Sequence, residues 1–270
     1  MSVSGNGSQD LMADARIHQE WVSLYRTAEA QAFYEMAFDE IARRLAAPPD
    51  AKILDAGCGS CAKSILLATR GFRVVAMDYA ADALALADGV LRKERLQDRI
   101  TLRQGDLLKL PFADGEFPYV ICWGVLMHVP EVRRALAELT RVLAPGGMLV
   151  LSEGNMYSAQ SIAMRGVKRL IGRRRGNVVK TDAGLETIEA TPEGTLLTRQ
   201  TNMHWLAAEG QRLGLRVSAR IPGQLTELYT LAPGAALKRA VHAVNRVWFT
   251  HVGLAGPAFG NIVFLQKTKS

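Results

Sequence analysis

A short apolar strand running through an acid into a glycine turn, then a second strand ending on another acid, limits what this chain can fold into more than any other feature. Residues 53–60 read Ile-Leu-Asp-Ala-Gly-Cys-Gly-Ser, and the apolar run 72–77 ends at Asp78. Strand, glycine turn, helix and acid-ended strand together describe a βαβ unit that holds an adenosine-containing cofactor at the carboxyl ends of its strands. Gly57 and Gly59 allow a sharp turn and a close approach to the ligand, where a Cβ would collide. Asp78 stands where a carboxylate accepts both ribose hydroxyls.

The surrounding pattern extends this unit. Residues 11–47 read as two N-terminal helices, with apolar pairs at Trp21-Val22, Leu24-Tyr25, Phe33-Tyr34 and Ala37-Phe38 and then Ile41, stopped by Pro48-Pro49. Strands are expected at 52–55, 73–77, 100–104, 117–122 and 148–152, with helices over 62–70, 80–96 and 132–143 between them. Such alternation means a parallel sheet with helices on both faces. After Glu153 the rhythm breaks: residues 155–202 are polar, basic and without clear periodicity, which suits an insertion covering a substrate. Residues 203–270 resume it with a helix at 204–213, a strand at 216–221, a helix at 235–249 and a last strand at 261–267. The expected organisation is therefore a disordered tail (1–10), a helical lid (11–47), a cofactor-binding core (48–154), the insertion (155–202) and a segment that completes the core (203–270).

Composition narrows the class of partner. The chain has 270 residues, 49% hydrophobic and 22% charged, ordinary for a globular protein. No apolar run approaches the ~20 residues of a membrane span, and the start lacks the pattern of a signal peptide. Three cysteines make no disulfide framework, so a cytoplasmic location is expected. Part of the net charge of +7 lies in residues 165–175, Arg-Gly-Val-Lys-Arg-Leu-Ile-Gly-Arg-Arg-Arg. The favoured reading is a solvated basic face, because the run lacks aromatics to stack bases, and nucleic acid is not expected. Contact with a membrane surface through Ile162, Val167, Leu170 and Ile171 is the less favoured alternative. Cys58 and Cys61 have no second pair to complete a metal site, and no metal is expected. The oligomeric state is left open.

Four strand ends converge on one sheet edge. They supply Asp55-Ala56-Gly57-Cys58-Gly59, then Asp78, then Gly105-Asp106-Leu107, and then Cys122-Trp123-Gly124 followed by Val125-Leu126-Met127-His128-Val129. Asp106 and the Leu107 amide suit an adenine amino group and ring nitrogen. With Leu110-Pro111-Phe112 and Leu143-Ala144-Pro145-Gly146-Gly147, this set closely resembles the class I S-adenosylmethionine-dependent methyltransferases over residues 52–153. Those proteins carry an Asp-x-Gly-x-Gly loop, an acid ending strand two, a Gly-Asp pair and a Leu-x-Pro-Gly-Gly turn. The resemblance implies a Rossmann-like doubly wound sheet, mostly parallel with an antiparallel last strand, and S-adenosylmethionine as cofactor. It implies cofactor contacts from Asp55, Gly57, Cys58, Gly59, Asp78, Tyr79, Gly105, Asp106, Leu107 and Trp123. The chain departs from the family at Cys61, where a third glycine is common, and at Met127, where a glutamate often precedes the histidine. Cysteine is small enough to start the helix.

The acceptor side is less constrained. His128 is the candidate general base, since imidazole titrates near neutrality; capping the loop or packing on the cofactor are the other readings. Tyr25, Met127, Glu153, His204 and Trp205 are candidates for the substrate side, with core packing the alternative for His204, Trp205 and Tyr25. The leading function is methyl transfer to a small-molecule acceptor. A nicotinamide-dependent oxidoreductase and a catalytically silent cofactor-binding subunit are the alternatives. Against the first, Ala62 stands where a dinucleotide fingerprint prefers its third glycine. Cys122-Trp123-Gly124-Val125 differs from the Asn/Asp-Pro-Pro-Tyr/Phe turn of base-amine methylases. Residues 153–157, Glu-Gly-Asn-Met-Tyr, are similar to those of small-molecule methyltransferases of bacterial biosynthesis, which modify sugars, lipids, quinones or secondary metabolites.

Overall fold

The computed structural model describes residues 27–170, 178–191 and 194–269. Its strands are β1 (Lys52–Ala56), β2 (Arg73–Asp78), β3 (Ile100–Gln104), β4 (Phe117–Trp123), β5 (Leu143–Gly154), β6 (Val178–Lys180), β7 (Gly184–Thr191), β8 (Gly194–Thr201), β9 (Leu215–Pro222) and β10 (Gly260–Lys267). Its helices are α1 (Ala28–Leu45), α2 (Ala62–Ala68), α3 (Ala81–Glu94), α4 (Val132–Val142), α5 (Ala159–Leu170), α6 (Met203–Arg212) and α7 (Ala235–Val247). The expected tail, the first N-terminal helix and Tyr25 lie outside the described residues.

Seven strands form one sheet in the order β3-β2-β1-β4-β5-β10-β9. Neighbours from β3 through β5 are parallel, while β10 runs antiparallel to both β5 and β9. Successive side chains of a strand point to opposite faces, so the central strands feed two cores. Leu54, Met77, Val120, Leu149 and Leu151 pack with α4 and α6 on one face. Ile53, Val74, Ala76, Ile121 and Val150 pack with α1, α2 and α3 on the other. This is the doubly wound sheet expected from the sequence, with the chain's last strand as its antiparallel member. Strand order reverses between β1 and β4, which opens a crevice at their carboxyl ends.

Helix α1 covers part of that crevice. Thr27 caps it by accepting the Ala30 N–H at 3.2 Å. Phe33, Tyr34, Ala37, Phe38 and Ile41 are buried along one stripe at helical spacing. The helix stops at Leu45, and Ala46 takes a left-handed conformation (φ 45°) before the two prolines. Leu143–Gly154 is one long strand rather than a turn followed by a strand. Phe117 pairs with Leu143 and Tyr119 with Met148, so Ala144, Pro145, Gly146 and Gly147 bulge out of the ladder.

The segment expected to be irregular is largely regular. It holds α5 and a second, antiparallel sheet ordered β6-β7-β8. In β8, Leu197, Arg199 and Thr201 face inward and are buried, an alternation that contains a charge. Strand β8 is joined to the end of β5 by a bridge between Asn155 and Thr201, which brings the second sheet to the carboxyl edge of the first.

Candidate active site

The loop after β1 turns because two of its amides share one acceptor: the Gly57 and Cys58 N–H groups both donate to the Met77 carbonyl, at 2.8 and 2.9 Å. Gly57 has φ 83°, and a Cβ there would lie 2.4 Å from Cγ2 of Val125. The close approach that demands glycine is thus to the turn after β4, a neighbour within the protein rather than the ligand. Gly59 also has positive φ, and a Cβ there would have no atom within 4 Å, so this is where the loop faces open space. Cys61, which takes the place of the family's third glycine, caps α2 with φ 61° and its side chain fully buried. Cysteine does start the helix there, as its size allows, but in left-handed backbone that favours glycine.

Asp78 ties the two strand ends together. Its Oδ2 accepts the Gly59 N–H at 2.7 Å, and its Oδ1 accepts the Ala80 N–H at 3.0 Å. A carboxylate oxygen has a second lone pair, so each can still accept a hydroxyl. Asp106 is folded back on its own loop, its Oδ1 accepting the Leu108 N–H at 2.8 Å. Trp123 ends β4 with its ring centroid 5.1 Å from that of Phe38 and 6.0 Å, edge-on, from Tyr34. Lys63 Nζ sits 3.3 Å from the centre of the Tyr34 ring. Asp78, Tyr79, Trp123, Gly57, Cys58, Gly59, Gly105, Asp106 and Leu107 all border one cavity of about 550 Å³. Asp55 does not. It is buried beneath the loop, accepts the Ser64 hydroxyl at 2.6 Å and is pushed up to about 6 by burial, which makes it a clamp between β1 and α2.

The same cavity continues past Met127, His128 and Glu153 to Leu196, Thr198, Glu227 and Phe259. His128 lies on a 3₁₀ turn (Leu126–His128), with Nδ1 2.7 Å from the Leu197 carbonyl. A carbonyl only accepts, so Nδ1 carries the proton and Nε2 the basic lone pair. Burial holds this imidazole below its ordinary pKa, and the nearby Arg199 adds to the effect, so it is neutral at pH 7. Glu153 is buried at the end of β5 and pushed up to about 8 by burial. Its Oε2 accepts the Thr201 hydroxyl at 3.2 Å, while Oε1 has no hydrogen-bond partner among the described residues. Glu227, half-buried, is likewise raised to about 7 by burial.

Two candidates stand elsewhere. Trp205 is buried in the core beside α4, under the Arg133 guanidinium, and His204 is exposed against Tyr157. Neither borders the cavity, which corrects their placement on the substrate side; the first turn of α6 points them away from it. Conversely, the sequence reading passed over Arg199. Its guanidinium is buried, ion-paired to Glu186 across the strand pair at 2.9 Å, and donates to the carbonyls of Leu126 (2.8 Å) and Val129 (3.0 Å). It therefore fixes the turn that carries His128. Glu227, Gln31 and Tyr34 also border the cavity without having been singled out for it. The apolar stripe of α1 was a legible sign for Tyr34; for Arg199 and Glu227 the sequence held none.

Residues 54–151 match the family model described as a methyltransferase domain. A sterol 24-C-methyltransferase of Gibberella zeae is 31% identical over 157 residues, covering 56% of this chain and 41% of that protein. Magnesium protoporphyrin IX methyltransferase from Synechocystis PCC 6803, solved with bound SAH, shares the fold with a TM-score of 0.62 at 16% identity, over 96% of this chain and 98% of that one. The cyclase SpnF does so with a TM-score of 0.65 at 18% identity, over the whole of both chains. The chain spans between about two fifths and one half of the length of the curated relatives it matches.

Proposed function

We propose that this chain, whose residues 54–151 match a methyltransferase domain, is a class I S-adenosylmethionine-dependent methyltransferase that transfers a methyl group to a largely apolar small molecule offering a hydroxyl or amine hydrogen. The cofactor is S-adenosylmethionine, and the residues present fit it. The glycine loop opens at Gly59, Asp78 keeps acceptor capacity at the end of β2, and Gly105-Asp106-Leu107 and Trp123 border the same space. A methyl bound to a sulfonium is already activated, so the protein's task is chiefly alignment and the exclusion of water.

One observation carries the acceptor class: Glu153 Oε1, buried and without a hydrogen-bond partner among the described residues, on the wall of the cavity. A buried polar atom left alone costs free energy, and an acceptor hydroxyl or amine would satisfy it. Among the described residues that border the cavity, Lys63 is the only lysine or arginine, and it stands over Tyr34 on the cofactor side. An anionic acceptor would find no cation beside Glu153 and Glu227 to neutralise it. The Nε2 of His128 then takes the proton that the acceptor loses, while the protonated Glu153 positions the acceptor, and Arg199 and Leu197 keep the His128 turn in place. The relative named for sterol methylation agrees with an apolar acceptor.

The test is to incubate the chain with S-adenosylmethionine and a panel of phenols, hydroquinones, fatty alcohols and amines beside carboxylate and phosphate counterparts, following S-adenosylhomocysteine release. Turnover on the hydroxyl and amine acceptors supports this reading. Turnover confined to the anionic ones, or binding of NAD in place of S-adenosylmethionine, contradicts it.

A further inference from the structure

Charge is unevenly distributed along this chain. Residues 155–180 contain seven lysines and arginines and no acid, and residues 228–270 contain five and no acid. The remainder of the chain is net negative, so these two segments carry all of the excess positive charge. In the fold they include α5, with Arg165, Lys168 and Arg169, and α7, with Lys238, Arg239 and Arg246.

Both helices carry an apolar stripe that faces outward. On α5, Ile162 and Val167 are more than half exposed and Leu170 is 87% exposed, while Arg165, Lys168 and Arg169 occupy the flank. Ser161 is the one buried side chain of that helix. On α7, Leu237, Val244 and Val247 are each about half exposed, with Lys238, Arg239 and Arg246 beside them; the inward side chains are His242 and Asn245. Leu231, 68% exposed, lies on the turn before α7, and Leu254 is exposed after it.

The two helices hold a single loop. Gln160 of α5 accepts the Glu227 N–H at 2.9 Å and bonds the Thr226 hydroxyl. Asn245 of α7 accepts the Thr226 N–H at 3.0 Å and donates to its carbonyl at 2.9 Å. Gln224 and Glu227 of this loop border the cavity. The apolar and basic face is thus continuous with a wall of the candidate active site.

We propose that this face, formed by α5, residues 228–231, α7 and residues 252–254, docks the protein on the surface of an anionic lipid bilayer. An interfacial helix has an apolar side that enters the headgroup boundary and a basic side that meets anionic lipid, and α5 and α7 both have this form. Charge decides among occupants: a second copy would set the basic side chains of α5 and α7 against their own copies, whereas anionic headgroups complement them. No described helix is long and apolar enough to cross a membrane, so the contact is with the surface. The proposal does not depend on the methyl-transfer reading.

Flotation of the full chain with vesicles of phosphatidylcholine alone, or with roughly one third phosphatidylglycerol, tests it. Binding to the anionic vesicles should be at least about tenfold tighter and should weaken with salt. A Leu170→Glu, Leu237→Glu double variant should lose it while retaining the wild-type circular dichroism and S-adenosylmethionine affinity. Indifference of the wild type to both vesicles, or equal binding by the variant, would overturn the proposal. So would a dimer in sedimentation velocity that the variant dissociates, with no vesicle binding, which would assign the face to a second copy.

Discussion

Gly57 is the residue at which the cofactor loop has least freedom. Its left-handed backbone and the 2.4 Å approach of Val125 to a would-be Cβ are separate penalties. Gly57→Ala is expected to lower stability by ~2–4 kcal/mol, the left-handed strain and the overpacking together. Adding Val125→Ala should recover only the packing share, and urea unfolding of both variants measures the difference. Full additivity of the two substitutions would show that the contact is not felt. Glu153 acts through protonation. Its carboxyl titrates near 4.5 when exposed and at about 8 in the fold, so the folded chain holds a proton there that the unfolded chain has lost. The stability this provides is full below pH 4.5 and is lost as pH rises through 8, by at most ~5 kcal/mol. Asp55 and Glu227 shift in the same direction, so comparison with a variant isolates Glu153. The melting temperature of the wild type should fall more between pH 5 and pH 8.5 than that of Glu153→Gln. Parallel pH profiles would contradict the buried, protonated carboxyl.

At the scale of elements, the second sheet couples to the site through Arg199. Arg199→Lys keeps the charge and loses the planar fork that spans Glu186 and the carbonyls of Leu126 and Val129. Turnover is expected to fall by ~10-fold or more as the His128 turn loosens, with cofactor affinity within about twofold of wild type, because small displacements at a reacting centre cost rate first. An unchanged turnover number would remove Arg199 from the account. This coupling also shows where the sequence stopped being legible. β1, β2, β4 and β5 announce themselves because both faces are apolar, and the acids at their ends mark the crevice. β8 buries Arg199 and Thr201 beside Leu197, so its inward face reads as polar and the strand is hidden. Nothing local indicates that Glu186, thirteen residues away, neutralises that arginine. The cofactor residues were legible from a contiguous motif, whereas Glu227 and Arg199 reach the cavity from distant segments. Asp55 belongs to the motif but serves the loop from below. The membrane alternative was weak when residues 165–175 stood alone; the outward stripe on α7 gives it a second helix.

The whole molecule is a sheet whose carboxyl edge is walled by α1 on the cofactor side and by β8 and the loop at 224–227 on the other. The sheet order, the two cores and the acid-ended strands all serve one crevice, and S-adenosylmethionine as its occupant is the claim on which the functional account rests. Isothermal titration of the folded wild type and of Asp78→Ala with S-adenosylmethionine, and with NAD in parallel, addresses it most directly. Each charge-assisted hydrogen bond that Asp78 would make to a ribose hydroxyl would contribute ~1.5–3 kcal/mol, so its loss should weaken binding by about tenfold to a hundredfold or more. Saturable binding of S-adenosylmethionine by the wild type, none of NAD, and that loss in a folded Asp78→Ala chain is the predicted result. Equal affinity in the two proteins, or a preference for NAD, would contradict it.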